Sequence, residues 1–446
     1  MKFPSSLLRI SCKIAKVLRV LVIILFLFGV WSSISAKPLR IEISGSKDIG
    51  IPFAITSFNN NNSDYDIADI IKNDLQISGQ FKNITGPSHY DLTPEEWKNR
   101  GADLLIVGEV TARAFSVTVT FKLIDLYKNG GESTLLQYTF DNKSRRTLRT
   151  LSHQISDLIF HKITGVPGFF CTKISYITME GDIRKPRYNL TVADVDGHND
   201  KILLSTKYPL MSPAWSPDGK HIAFVSFKDN RSSIKVIDID SGEIENLTNF
   251  PGINGAPRWS PDGSQMAVVL SVDGAPKIYI LTLASKTMYR LTDGPAIDTE
   301  PCWSPNGSEI YFTSNRNGGG PQIYKIALAT KEIHRVTTIG DYNATPSITR
   351  DGKTLIMLHK NARGFYNIAA QNLITNQVDV LTAAQQDESP CLAPNGMMVL
   401  YGSKEGRNNV LRAVTLDGKF KMRVPVSEHN VKEPAWSPYL LDQVFA

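Results

Sequence analysis

Pro213-Ala-Trp-Ser-Pro-Asp-Gly219 returns, with small changes, as Pro257-Arg-Trp-Ser-Pro-Asp-Gly263, Pro301-Cys-Trp-Ser-Pro-Asn-Gly307, Pro346-Ser-Ile-Thr-Arg-Asp-Gly352, Pro390-Cys-Leu-Ala-Pro-Asn-Gly396 and Pro434-Ala-Trp-Ser-Pro438. The steps from proline to proline are 44, 44, 45, 44 and 44 residues. A period of that length filled with short apolar strands predicts propeller blades, one four-stranded sheet per period. After each Asp-Gly or Asn-Gly comes an alternating run such as His221-Ile-Ala-Phe-Val-Ser-Phe227, then a second such as Lys277-Ile-Tyr-Ile-Leu-Thr-Leu283, then a short strand ending in Leu-Thr or Val-Thr. Branched and aromatic residues at period two, punctuated by turn residues, are what hairpins require. The Asp of each Asp-Gly is therefore read as turn chemistry rather than a metal ligand. Trp215, Trp259, Trp303 and Trp436 are expected to fill the wedges between blades, with Ile348 and Leu392 in the two weaker copies.

Strand counting shows how the ring shuts. One set of outer strands, Lys173-Ile-Ser-Tyr-Ile-Thr178, Asn189-Leu-Thr-Val-Ala-Asp194 and Lys201-Ile-Leu-Leu204, precedes the first Pro-Ala-Trp strand, and none follows the last. The C-terminal strand should complete the first blade, giving six blades over residues 166–446 and no open edge.

The first 36 residues hold Lys2, Arg9, Lys13, Lys16 and Arg19 with no acid, then the apolar run Val20 to Trp31, then small residues to Ala36. That order reads as an export signal cleaved near Ala36, since twelve apolar residues are short for a membrane span. The chain of 446 residues carries +6, of which the signal supplies five, so the remainder is nearly neutral. Nucleic acid loses its electrostatic support as a partner. Cys171, Cys302 and Cys391 remain, an odd number. The last two share one register of the innermost strands and read as small fillers rather than a disulfide.

Residues 37–165 follow another pattern, that of a small α/β domain. Leu39-Arg-Ile-Glu-Ile43 alternates like a strand, and Ile67, Ile70, Ile71 and Leu75 fall at helical spacing. Thr93-Pro-Glu-Glu96 is a capping box, 102–108 and 116–124 read as paired strands, and Leu148 to Ile159 marks a long helix ending before Gly165. Gly165-Val-Pro-Gly168 looks like a hinge into the ring. His153 and His161 lie two turns apart on the long helix, too far for one metal site, and read as solvated or packing residues. Asp194 to Asp200 resembles a calcium loop but lacks Gly and Glu at the required offsets. No nucleophile elbow, zinc-protease motif or phosphate-binding glycine loop is present in the sequence, so no catalytic residue, metal or cofactor is expected and binding is the default reading.

The loops crossing from each blade to the next inner strand, 205–212, 248–256, 292–300, 337–345, 382–389 and 426–433, together carry −6, while the hairpins farther out on the same side carry +5. An acidic centre inside a basic rim would orient a partner of opposite arrangement. Asp298, Asp341 and Asp387 belong to that centre, and reversing Asp298 and Glu300 to Lys is expected to weaken binding.

The export signal, the α/β domain and six Trp-Ser-Pro-Asp-Gly blades together resemble the TolB family of the Tol-Pal system of Gram-negative envelopes. The resemblance covers essentially the whole chain and is most specific at Asn254-Gly-Ala-Pro-Arg-Trp-Ser-Pro-Asp-Gly263, Thr299-Glu-Pro-Cys-Trp-Ser-Pro305, Leu392-Ala-Pro-Asn-Gly396 and Pro434-Ala-Trp-Ser-Pro-Tyr-Leu440. It implies a periplasmic scaffold that docks the peptidoglycan-associated lipoprotein Pal through the crossing-loop face, where Asn254, Gly255, Thr299 and Glu300 match family positions and Ile253 departs from the polar residue often found there. It implies TolA binding by a segment from Lys37 to about Phe53, including Leu39, Ile41, Ile43, Gly45, Gly50 and Phe53, with the two glycines as pivots. Outer-membrane integrity, constriction at division and further outer-membrane partners follow from the same resemblance. The alternative is the propeller of a secreted peptidase-like or ligand-binding protein lacking its catalytic domain.

Overall fold

In the computed structural model, the described residues are 41–42, 50–58, 66–86, 92–112, 116–128, 133–144, 147–182, 184–228, 230–426 and 430–440. The segment read as an export signal, with its expected cleavage near Ala36, lies outside them. Chain order begins with β1 (Ile41–Glu42), β2 (Ile51–Ile55), α1 (Ile67–Ile77), β3 (Phe81–Asn83), α2 (Pro94–Asn99), β4 (Leu104–Ala112), β5 (Val117–Asp125), β6 (Thr134–Lys143) and α3 (Leu148–Thr164). The sheet runs β3-β2-β4-β5-β6, with β2 parallel to both neighbours and the remaining pairs antiparallel. Alternation along β2 sends Phe53 into the core beneath α1 and α3 and Ala54 to the opposite face against Trp97 of α2. Asp66 caps α1, the Thr93–Glu96 box caps α2, and Gly165 ends α3 at φ 73°, the left-handed value for which glycine has no penalty.

Six blades follow, an N-terminal α/β layer preceding a six-bladed β-propeller as the repeats require. Their inner strands are Leu210–Trp215, Asn254–Trp259, Asp298–Trp303, Asn343–Ile348, Asp387–Leu392 and Asn430–Trp436. The last of these pairs with Lys173–Glu180, placing the C-terminal strand at the centre of the first blade. Every inner strand has a bulge at the same place. There the residue before the repeat proline, Ser212, Ala256, Glu300, Thr345, Ser389 or Glu433, has φ between 46° and 53°. A side chain at positive φ costs on the order of 1 kcal/mol, and six aligned instances mean that the ring geometry imposes it. The turns after the tryptophans are Asx-type: Ser216 donates to Asp218 and Ser260 to Asp262, each at 2.5 Å. Hydroxyl and amide donors from Ser260 and Ser264 pull Asp262 down to about 2.

The tryptophans do more than fill wedges. Trp215 Nε1 donates to the Ala435 carbonyl at 3.3 Å, Trp259 to Ala214 at 3.1 Å and Trp303 to Arg258 at 3.0 Å, so each indole ties its blade to the one before. Ile348 and Leu392 have no N–H to offer at the equivalent place. Trp303→Phe is expected to cost about 1–2 kcal/mol by leaving the Arg258 carbonyl without its donor. Ile348→Val at the equivalent seat, where no such bond exists, should cost about 1 kcal/mol from packing alone. Urea denaturation of both variants checks the difference.

The α/β layer is welded to the ring. One apolar cluster runs from Phe53, Ile71 and Ile159 through Phe169 and Phe170 to Ile174, Leu400 and Trp436. The stretch read as a hinge is fastened: amides of Phe170 and Cys171 donate to the buried Asp157 carboxylate of α3 at 2.8 and 3.1 Å. A Cβ on Gly168 would stand 2.1 Å from Asp157 Oδ1, so only glycine fits that approach. Asn395 of the sixth blade adds a bond to the Pro167 carbonyl at 3.0 Å.

Candidate protein-binding face

Each crossing loop reaches its inner strand at a residue three before the repeat proline, and that residue is buried: Leu210, Asn254, Asp298, Asn343, Asp387 and Val431. The polar members pin the loop. Asn254 accepts from the Phe250 amide at 3.0 Å and donates to the Phe250 carbonyl at 2.7 Å. Asn343 donates to the Ile339 carbonyl at 2.9 Å and meets His359 Nδ1 at 2.8 Å. Asp387 accepts from Thr382, and from Ser403 at 2.7 Å. Burial raises its carboxyl despite these donors.

Asp298 is wholly buried and lies between Lys277 at 3.2 Å and Arg316 at 2.9 Å, with Ser314 Oγ at 2.6 Å. This corrects the electrostatic reading of the loops. Arg316 comes from the outer hairpin and Asp298 from the central loop, so in that blade the basic rim and acidic centre are partners of each other. Asp298 and Asp387 serve the fold, and their carboxylates do not face solvent. Glu300 is half-buried and accepts from Thr313 Oγ1 at 2.7 Å and from the amide of Thr345 in the next blade at 2.9 Å. Glu433 does the same for the amide of Ser212 at 2.7 Å. Gly255 and Thr299 are half-buried on the inner strands, and Asp341 alone of the proposed acids is exposed.

While Asn254, Asp298, Asn343 and Asp387 turn inward, apolar side chains on the crossing loops are left outside. Phe250, Ile253, Ile297 and Ile339 are 40%, 48%, 48% and 51% exposed on three consecutive crossing loops, with Met211 exposed at the foot of a fourth. Charge counting had no means of finding them. Their signal in the sequence was Ile253 standing where a polar residue is usual, and Ile297 repeats it one period on.

At the other end of the chain the candidate residues separate. Leu39, Ile43 and Gly45 lie outside the described residues. Ile41 and Glu42 pair antiparallel with Met422 and Lys421, adding β1 as a fifth strand to the outer edge of the sixth blade. Gly50 has φ 126° and approaches the Phe81 backbone so closely that a Cβ would stand 2.9 Å from it; it is a fixed entry to β2 rather than a pivot. Phe53 is fully buried at the centre of the sheet and is corrected to a core residue.

The helix pair holds a charged cluster that the sequence reading missed. His153 on α3 is buried, with Nδ1 2.8 Å from Asp74 on α1 and Nε2 3.9 Å from Asp196 in a turn of the first blade. Arg149 donates to Asp196 and lies 3.7 Å from Asp194, which Lys173 also reaches at 2.7 Å. Burial alone would lower His153, but Asp74 and Asp196 overcome it and hold the ring up to about 9. Burial also opposes ionisation of Asp196, yet His198, His153 and Arg149 hold it well below the usual carboxylate range. Asp74, His153 and Asp196 have ligand atoms within 4.8 Å of one another. The Arg149 guanidinium already supplies positive charge there, so the group reads as an ion network joining layer to ring. The stretch Asp194 to Asp200, resembling a calcium loop, is this docking turn. Cys171, Cys302 and Cys391 form no disulfide among the described residues.

Among the described residues no helix is long and apolar enough to cross a membrane. The family model described as the TolB amino-terminal domain matches residues 39–131, and that of the TolB beta propeller domain matches 160–440. The chain is 46% identical over 439 residues to the Tol-Pal system protein TolB of Histophilus somni, covering 96% of this chain and 99% of that one. It is 46% identical over 404 residues to the protein of the same name from Legionella pneumophila, covering 90% and 95%. The crystal structure of TolB from Acinetobacter baumannii superposes with a TM-score of 0.82 at 35% identity, covering 90% of this chain and all of that one. Two matched family models, relatives alike over nearly their whole length and a shared fold place this chain in the TolB family of Tol-Pal system proteins.

Proposed function

We propose that the chain is a periplasmic, non-catalytic scaffold of the Tol-Pal system, joining the lipoprotein Pal at the crossing-loop face to TolA at the N-terminal segment. The work it supports is maintenance of the outer membrane and its constriction at division. The observation that carries the reading is the set of exposed apolar side chains Phe250, Ile253, Ile297 and Ile339 on a face where Asp298 and Asp387 are buried in the fold. Large apolar side chains left exposed on neighbouring loops of one face are the kind of surface that proteins bind. Because Gly50 and Phe53 belong to the folded layer, the releasable segment ends before residue 50.

Pull-downs from a periplasmic fraction test both ends, using residues 37–446 and a chain beginning at Gly50. The longer chain is expected to capture Pal and an inner-membrane partner, and the shorter one Pal alone. Capture of neither by the longer chain would overturn the reading. Ile253→Asp combined with Ile339→Asp should weaken Pal binding by 100-fold or more, corresponding to about 3 kcal/mol for two apolar side chains withdrawn from the centre of an interface. The melting temperature should not move, since both side chains are exposed. Isothermal titration and a thermal melt check the two halves.

A further inference from the structure

On the same face, where the fifth, sixth and first blades meet, a cavity of about 480 Å³ opens beside a second of about 750 Å³, and Tyr366, Gln386 and Lys404 line both. Tyr342 and Tyr366 form its aromatic wall, edge to face with ring centres 5.1 Å apart. Lys404, Arg407 and Lys432 line the first cavity. The acids there are Asp387, buried and held by Thr382 and Ser403, and Glu388, half-buried. Lys360 adds a further ammonium 6.0 Å from the Tyr366 ring centre. The solvent-facing charge of this trough is therefore positive, against an aromatic wall.

We infer that this trough is a recognition site for an acidic segment of a partner protein, one that presents carboxylates to Lys404, Arg407 and Lys432 and an apolar or aromatic side chain to Tyr342 and Tyr366. The inference rests on the crossing-loop face being a protein-binding surface, and it assigns a chemistry to one sector of it. The apolar row on the earlier loops supplies contact area without charge, while the trough reads sign and fixes rotation of the partner about the ring axis. Complementary charge at the rim acts mainly on association rate and choice of partner. A nucleic-acid strand would also meet cations and aromatic rings, but the chain beyond residue 36 is nearly neutral, which withdraws the electrostatic support a phosphate backbone needs.

The test uses the peptide Ac-Glu-Phe-Asp-Glu-amide, its neutral counterpart Ac-Gln-Phe-Asn-Gln-amide and a short oligothymidine, each titrated into the chain in low salt and followed by amide chemical shifts. The acidic peptide is expected to bind at least tenfold more tightly than the neutral one and to shift residues around Tyr366 and Lys404. Lys404→Glu with Lys432→Glu should abolish the preference, and Lys228→Glu on the second blade should leave it intact. Both lysines are exposed, so the double variant should fold as the parent does. Equal binding of the two peptides, equal binding of oligothymidine, or a preference surviving the double variant would each overturn the inference. Pal binding is measured separately: a parent that binds Pal while showing no peptide preference sinks only the trough, and a parent that shows the preference without binding Pal sinks only the scaffold reading.

Discussion

Asp298→Lys is expected to unfold the fourth blade rather than to detach a partner. The carboxylate is wholly buried between Lys277, itself 1% exposed, and Arg316, and it accepts from Ser314. A lysine there sets three cations together in a site closed to water and leaves Ser314 without its acceptor. Removing one member of a buried pair costs about 3–5 kcal/mol, and reversing its sign costs more. Against a typical stability of about 5–15 kcal/mol, the variant should be recovered poorly and melt at far lower temperature. Asp298→Asn, which keeps the shape and one acceptor, should retain the fold with partial loss. Differential scanning calorimetry of both decides it; a charge-reversed protein as stable as the parent would show that the pair contributes nothing.

His153→Gln is expected to loosen the joint between the α/β layer and the ring and to change how stability depends on pH. Held up to about 9 in the fold, against 6.5 for the unpaired ring, the imidazole binds its proton more tightly when folded. The corresponding stability is fully present below pH 6.5 and is lost as pH rises through about 9. Its size is about 3 kcal/mol at the acid end of that window. Burial pushes Asp74 up, so its ionisation is costly in the fold, and the imidazolium is what offsets that cost. A glutamine leaves Asp74 with a weaker, uncharged donor. Urea midpoints of the parent should fall between pH 6.5 and 9.5, and those of the variant should be lower and flatter; parallel curves for the two proteins would refute the assignment.

The parts that were legible in the sequence are those fixed by local chemistry at a constant period. Asp-Gly turns, alternating strands and a repeat proline every 44 or 45 residues sufficed for the blades, and an unmatched set of outer strands sufficed for closure. The Thr93–Glu96 capping box formed as written because its partners are three residues apart. Strand β6 escaped notice, as did β3, only three residues long. What could not be read was where a loop residue points. Asp298 and Asp341 look alike in sequence, yet one lies inside and the other in water, because only the first has a lysine and an arginine delivered to it by neighbouring strands. The His153 cluster was hidden for the same reason: Asp74 comes from α1 and Asp196 from a turn of the first blade, and spacing along one helix says nothing of them. Phe53 reads as part of the partner-binding segment because five residues of strand between polar stretches do not announce that they are the middle of a sheet.

The pairing of Asn430–Trp436 with Lys173–Glu180 also sets an order of events. The first blade has its three outer strands early in the chain and must wait for its innermost one until the rest of the ring has been made. Until then the edge of Lys173–Glu180 is an unpaired strand beside an unfinished ring, the kind of edge that invites pairing with another chain. Its proper partner lies some 250 residues away along the chain, so its capture carries a large loop-closure penalty and belongs late in folding. Five blades can assemble from neighbouring hairpins, but the joint carrying Trp436, Phe169 and the α/β layer is sealed only when the two ends of the ring meet.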